Sequence, residues 1–390
     1  MEGPRRAFVI VLDACGAGAL PDAADYGDAG ANTLAHVAEA VGGLDLPTLA
    51  RLGLGNVMPI AGVEPSANPV VHGRLAPLGA GKDTTAGHWE LMGVPAPPMP
   101  VYPQGFPPEV IDRFCGATGR AVIGNTPSEG LRAIEQHGER HLATGELILY
   151  TSQDSVFQLA AHVDVVSEEE LYGYCRAARE ILTGEHAVGR VIARPFDGEP
   201  GAFRRTSGRH DFALAPPSRT YLDEICAAGA EVHAVGKVAD VFANRGITTV
   251  HPGHDNATAI EAVDHLLDSL DAGLVFANLV DTDQLYGHRK DMQGFARALQ
   301  GIDAAVAHWL DAMTSADLLI LCADHGVDPK LPGTDHTREH SPLLAVFAGS
   351  DGRRADGLMA SVGASALRWV CGRDAELPGE PFTPALVSSK

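Results

Sequence analysis

The chain has 390 residues, 45% of them hydrophobic, so it can bury a large core and is long enough for two or more domains. Its formal charge of −21 argues against nucleic acid or an anionic membrane as a partner. The six cysteines stand singly, without a CxxC pair, in a chain too long to need disulfide staples, which points to a reducing, cytoplasmic compartment.

In chain order, Arg5 and Arg6 precede an apolar FVIVL, but Asp13 interrupts the run before it can act as a secretory leader. No apolar stretch approaches the ~18 residues of a spanning helix, so a soluble, unprocessed protein is expected. A strand is predicted at 7–13 and a helix at 31–42, followed by LPTLARLGLGNV and a helix that begins near Thr84. In GKDTTAGHWELMG, Thr84 follows Asp83 where free backbone N–H groups and the helix dipole favour an anion. On spacing alone, Asp83, Thr84 and Thr85 read better simply as helix caps. A threonine hydroxyl becomes a useful nucleophile only when something such as a metal lowers its pKa.

Two proline-rich stretches, PAPPMPVYPQGFPPE and FALAPPSRT, cannot continue a helix and read as hinges around an insert. The expected division is a core of residues 1–97 and 215–390 with an inserted α+β cap at 98–214. Within the insert, ELILYTS and GRVIARPF read as strands, and a capping box from Ser167 to Glu170 opens a helix before LYGYCRAAREIL. After about residue 218 helices and strands alternate: TYLDEICAAGA, EVHAVGKV, AIEAVDHLLDSL, GLVFANLV, GFARALQGIDAAVAHWLDAM, ADLLILCA, and finally the extended PLLAVFAG. That alternation predicts an α/β fold with helices packed on a central, largely parallel sheet.

Three of these runs end in metal-binding side chains: Asp13 after FVIVL, Asp283 with His288 after LVFANLV, and Asp324 with His325 after LLILCA. GTDHTREHSPLL adds His336. In open α/β sheets ligands bind outside the carboxyl ends of the strands. Three carboxylates and three imidazoles brought there suit a pair of divalent cations and a phosphorylated substrate. Mixed oxygen and nitrogen ligation favours manganese or zinc over calcium.

The segments DACGAGALPDAADYGD, GKDTTAGHWELMG, LYTSQDSVFQLAAH, GRVIARPFDGEPGAFRRT, NLVDTDQLYGHRKD, ADHG and GTDHTREHSPLL resemble the phosphopentomutase family of the alkaline phosphatase superfamily, in order over about residues 7–349. The resemblance implies an alkaline-phosphatase-like central sheet flanked by helices, with an inserted cap. It further implies a phosphorylated Thr84, one manganese held by Asp13, Asp324 and His325, and a second held by Asp283, His288 and His336. Ser152, Asp154, Val156, Arg190, Ile192, Arg205 and Lys237 match family positions that line the sugar-phosphate site. The implied reaction interconverts ribose or deoxyribose 1-phosphate and 5-phosphate through a 1,5-bisphosphate, with a bisphosphorylated sugar as primer.

Ala86 stands where relatives usually carry a second threonine, and Cys15, Ala19, Val327 and Thr126 are further departures, none of which removes a ligand. Two other readings remain at this stage: another metal-dependent phosphomutase or phosphatase of the superfamily, and a sugar-phosphate binding protein, which would not need Thr84. The sequence leaves the oligomeric state open.

Overall fold

The computed structural model describes residues 4–152 and 155–385. Its contacts divide the chain into two units, Met1–Pro97 with Pro216–Lys390, and Pro98–Ala215. Both boundaries touch prolines, whose fixed φ and missing N–H disfavour regular structure across a junction.

The larger unit is built on an eight-stranded sheet. Its order is Thr249–His251, Val232–Val235, Gly273–Leu279, Arg6–Leu12, Asp317–Cys322, Ser341–Phe347, Val71–Ala76 and Gly357–Leu358. The three central strands pair in parallel, with Val9 opposite Phe276 on one side and Ile320 on the other. All three read as nearly continuous apolar runs because helices cover both faces. From Arg6–Leu12, Phe8, Ile10 and Leu12 enter one core cluster with Leu34, Val263, Phe295, Ile302 and Trp309, contributed by three helices.

The sheet is largely parallel, as expected, with one antiparallel strand. Ser341–Phe347 runs antiparallel to Asp317–Cys322 and to Val71–Ala76. An antiparallel neighbour needs no helical crossover, so the chain returns through a loop at the carboxyl end of Asp317–Cys322. That loop carries Asp324, His325 and His336. The strand Val71–Ala76 was not among the expected elements; His72, Gly73 and Arg74 interrupt its apolar pattern.

The smaller unit has its own six-stranded sheet, ordered Val122–Pro127, Leu147–Thr151, Val156–His162, Arg190–Asp197 and Arg204–Arg205, with His210–Ala213 also paired to Arg190–Asp197. One cluster joins Leu149, Phe157 and Val191 to the helices Pro108–Thr118 and Glu168–Ile181. A second joins Ile148, Ala160 and Phe196 to Ala133 and Ile134 of the helix Gly130–Thr144. Ser167 and Glu170 make the reciprocal capping box that starts Glu168–Ile181. No helix among the described residues is long and apolar enough to cross a membrane.

Candidate metal centre

The first residues beyond the three central parallel strands supply most of the cluster. Asp13 directly follows Leu12, and Asp324 and His325 follow Cys322 by two and three residues. Asp283 follows Leu279 on a π-helix, Thr282–Gly287. A π-helix closes i to i+5, and the His288 amide donates to the Asp283 carbonyl at 3.3 Å. Residues five apart therefore share a face, and His288 Nε2 lies 3.3 Å from Asp283 Oδ1. The spacing DxxxxH is thus brought together by this one irregular turn.

Two groups of potential ligand atoms lie within 4.8 Å of one another: Asp13, Asp324 and His325, and Asp283, His325 and His336. His325 belongs to both. His288, expected in the second group, flanks it with Nε2 3.2 Å from His336 Nε2.

The tautomers suit ligation. His325 Nδ1 is 3.1 Å from the Gly326 carbonyl and His288 Nδ1 is 2.6 Å from the Thr334 carbonyl. Each carbonyl holds the proton on Nδ1 and leaves Nε2 facing the carboxylates, as bound histidines commonly require.

Asp13 Oδ1, Asp324 Oδ2 and Asp283 Oδ1 are buried, and the groups facing them among the described residues are imidazole nitrogens at 3.3–3.6 Å. A buried carboxylate oxygen with no closer donor is costly, and a divalent cation would complete these three. The residues present therefore fit the expected ions.

Burial, together with the charge of Asp324, pushes the Asp13 carboxyl well above its ordinary range, with Lys237 opposing. Asp283 goes the other way: burial raises it, but hydrogen bonds from His288 and His336 outweigh that and hold it below its ordinary value. Burial pushes His325 down to about 4, whereas the hydrogen bond to Asp283 lifts His288 to about 9.

Thr84 is the first residue of the helix Thr84–Leu91, whose N-cap Asp83 accepts from the Ala86 amide. Capping by Asp83 and a half-buried Thr84 at the helix start therefore coexist. Thr84 Oγ1 lies 3.2 Å from His325 Nε2 and 3.2 Å from Lys237 Nζ, and Lys237 pairs with Asp13. Lys237, expected as a substrate contact, thus joins the cluster. Its burial opposes the charged form, but Asp13, Asp324 and Asp283 together raise its pKa above the ordinary lysine range.

Sequence reasoning missed the supports. His88 Nδ1 is 2.9 Å from the Thr84 carbonyl and 3.3 Å from Asp324 Oδ2. Gly87 must be glycine, because a Cβ there would lie 2.2 Å from the Asp324 carbonyl oxygen. Asn278 donates to Asp13 Oδ2 at 2.8 Å. The Glu90 carboxylate accepts from the amides of Leu78, Gly79 and Ala96, bracing the loop that leads to Thr84. The signal was the motif GHWE, whose histidine and glutamate had been given no role.

In the smaller unit, Val156 and Ile192 are buried on adjacent strands, with Val156 opposite Arg190 in register. Arg190 Nη1 is 3.5 Å from Asp211 Oδ2, and Ser152 follows the strand Leu147–Thr151. Arg205 is exposed, with Nη2 over Gly130. Asp154 lies outside the described residues.

The chain matches the profile of the metalloenzyme superfamily over residues 5–370. A phosphopentomutase of Caldanaerobacter subterraneus subsp. tengcongensis is 51% identical over 343 residues, 87% of this chain and 87% of that protein. One of Herpetosiphon aurantiacus is 50% identical over 343 residues, 87% of this chain and 88% of its own length. Among solved structures, a phosphoglycerate mutase of Leishmania mexicana aligns over 97% of both chains at 16% identity and a TM-score of 0.49.

Proposed function

The chain belongs to the phosphopentomutase family within the metalloenzyme superfamily, and on that footing we propose that it interconverts the 1- and 5-phosphates of ribose or deoxyribose through a phosphorylated Thr84. The observation that carries the reading is the Thr84 hydroxyl, at a helix start, 3.2 Å from both Lys237 Nζ and His325 Nε2 and next to the two groups of ligand atoms.

In this reading Asp13, Asp324 and His325 hold one manganese, and Asp283, His288 and His336 the other. When bound, the cations supply charge neutralisation for the transferring phosphoryl group. Thr84 donates that group to the free hydroxyl of a pentose phosphate. The bond from phosphorus to Thr84 Oγ breaks as the bond to the sugar oxygen forms, and the sugar hydroxyl's proton passes to Thr84. The 1,5-bisphosphate then turns and returns its other phosphate by the reverse step. Lys237 keeps a positive charge beside the threonine oxygen in both directions, and the N-terminus of the helix Thr84–Leu91 adds its dipole. Ser152, Asp154, Val156, Arg190, Ile192 and Arg205 are assigned to the sugar phosphate, the two arginines to its distal phosphate through charge-assisted hydrogen bonds. A bisphosphorylated sugar primes Thr84, and a cytoplasmic setting accords with the unpaired cysteines.

The test is ribose 1-phosphate with manganese and a bisphosphate primer, followed by phosphorus NMR. Ribose 5-phosphate should appear; inorganic phosphate alone would favour a phosphatase, and binding without turnover a binding protein. Thr84→Ala should abolish transfer and keep its metals, while Thr85→Ala retains substantial activity. A primed enzyme whose phosphate maps by mass spectrometry to Thr85 would refute the assignment.

A further inference from the structure

Glu339 is 4% exposed and has no lysine, arginine or histidine within ion-pairing distance among the described residues. Four donors hold its charge instead. One carboxylate oxygen accepts from Thr33 Oγ1 at 2.6 Å and Thr337 Oγ1 at 2.7 Å; the other accepts from the amides of Thr33 at 2.9 Å and Gly18 at 3.1 Å. An ionised carboxylate is an acceptor-only group with about four lone-pair sites, and here they are taken by donors from three separate segments.

Each segment leads to candidate metal ligands. Gly18 lies five residues beyond Asp13 in the same loop. Thr337 is the neighbour of His336. Thr33 Oγ1 in turn accepts from the Val327 amide at 3.0 Å, two residues beyond His325. The loops also press on the carboxylate directly, since a Cβ on Gly16 would lie 2.5 Å from one oxygen and a Cβ on Gly326 2.2 Å from the other.

We propose that Glu339 is a positioning residue that sets the loops of Asp13, Asp324–His325 and His336 in one register, so that the two cation positions depend on it together. The inference rests on the two-metal reading above. Such outer supports typically alter metal affinity about 10–100-fold when changed.

A carboxamide cannot reproduce the arrangement. With its oxygen turned to the amides of Thr33 and Gly18, its NH2 faces two hydroxyls that already accept from Val327 and Asp328 and whose own protons lose their acceptor. The full-length, metal-free chain would be titrated with Mn2+ and followed by electron paramagnetic resonance, with thermal melting in parallel. Wild type should bind two ions, and Glu339→Gln should bind both about 10–100-fold more weakly. The milder Thr337→Val, which removes one donor of the four, should weaken only the position beside His336. A residue that merely stabilised the fold would lower the melting temperature and leave manganese affinity alone. Unchanged affinity at both positions, or at one of them, in Glu339→Gln overturns the assignment; so does unchanged affinity in Thr337→Val, even if Glu339→Gln does not fold. A wild type that binds no manganese overturns the metal reading and this inference with it, whereas a two-ion wild type with unaffected variants overturns this inference alone.

Discussion

Asp13, Asp324 and His325 are 0%, 5% and 3% exposed at the ends of two strands that pair residue for residue, whereas the His288 and His336 side chains stand 38% and 16% exposed on a π-helix and a long loop. The residue types on the two sides are the same; what holds them differs. On the buried side, sheet register fixes the carboxylates, and burial, with His336 and Lys237 and against Asp324 and Asp283, keeps the imidazole neutral down to about 4. On the exposed side, hydrogen bonds between side chains do the holding, and Asp283 keeps His288 protonated up to about 9 without metal. Without metal, His288 favours a proton on the exposed side, and burial with the charge of Asp324 favours one on Asp13 on the buried side.

The largest expected effect tests the buried side. Asp13→Ala removes a ligand and the partner of Lys237, and transfer should fall by at least about 10⁴-fold, the scale seen when a reacting unit is broken. Elemental analysis should show metal lost from two toward one per chain; a variant that keeps both ions and its activity would remove Asp13 from the centre. His336→Ala should also lower the count from two toward one, but from the exposed side, leaving the ion at Asp13 and Asp324 in place. Two tightly held manganese ions in that variant would contradict the division into two sides.

The proton on His288 gives the next effect its sign. A ligating imidazole must be neutral, so manganese affinity on the exposed side should rise with pH up to about 9, by at most about tenfold per unit for one displaced proton. The buried side, with His325 neutral above about 4, should show no such rise from its histidine. An exposed-side slope left unchanged by His288→Gln would remove His288 as its source. In the metal-free chain the linkage runs oppositely. The contribution of His288 to stability is fully present below its ordinary value of ~6.5 and is lost as pH rises toward about 9, while the cost of burying His325 grows as pH falls from ~6.5 toward 4. Thermal melts of metal-free protein should therefore decline on both flanks.

The smallest effect probes how the π-helix is seated. A Cβ on Gly287 would lie 2.3 Å from Val327 Cγ1, so Gly287→Ala should cost about 1–3 kcal/mol by overpacking and weaken the exposed side only. Denaturant unfolding and manganese titration would check both, and an equal loss on the buried side would argue that the two are mechanically one.

The parallel strand ends were legible because an apolar run ending in Asp is a local pattern, and topology then brings three such ends together. Thr84 was legible only as a helix start with two meanings; the structure shows the Asp83 cap and sets the Thr84 hydroxyl 3.2 Å from His325 Nε2. Val71–Ala76 was not legible, since a strand interrupted by His72, Gly73 and Arg74 carries little periodicity. Nor was the helix Gly130–Thr144, whose buried face is made largely of glycine and alanine with Ile134 and His141. Glu339 and His88 were unreadable for another reason: their partners are distant in sequence, and a charged or imidazole side chain within a motif does not reveal which backbone it will meet.

The π-helix at Thr282–Gly287 also bears on how this segment tolerates changes of length. Across five residues an ordinary α-helix would turn the second side chain about 140° from the first, so the extra residue in this turn is what lets Asp283 and His288 face each other. Deleting one residue between them would restore a regular helix and leave an aspartate and a histidine four apart, again on one face. The pair would survive the gap, with its side chains about 40° apart, and the chain would leave His288 on nearly the same face, so the separate helix Met292–Ala312 could keep Phe295, Ile302 and Trp309 in the core they fill. The π turn therefore acts as one absorbed extra residue, and a one-residue gap here would be felt in the spacing of the ligand pair before it was felt in the core.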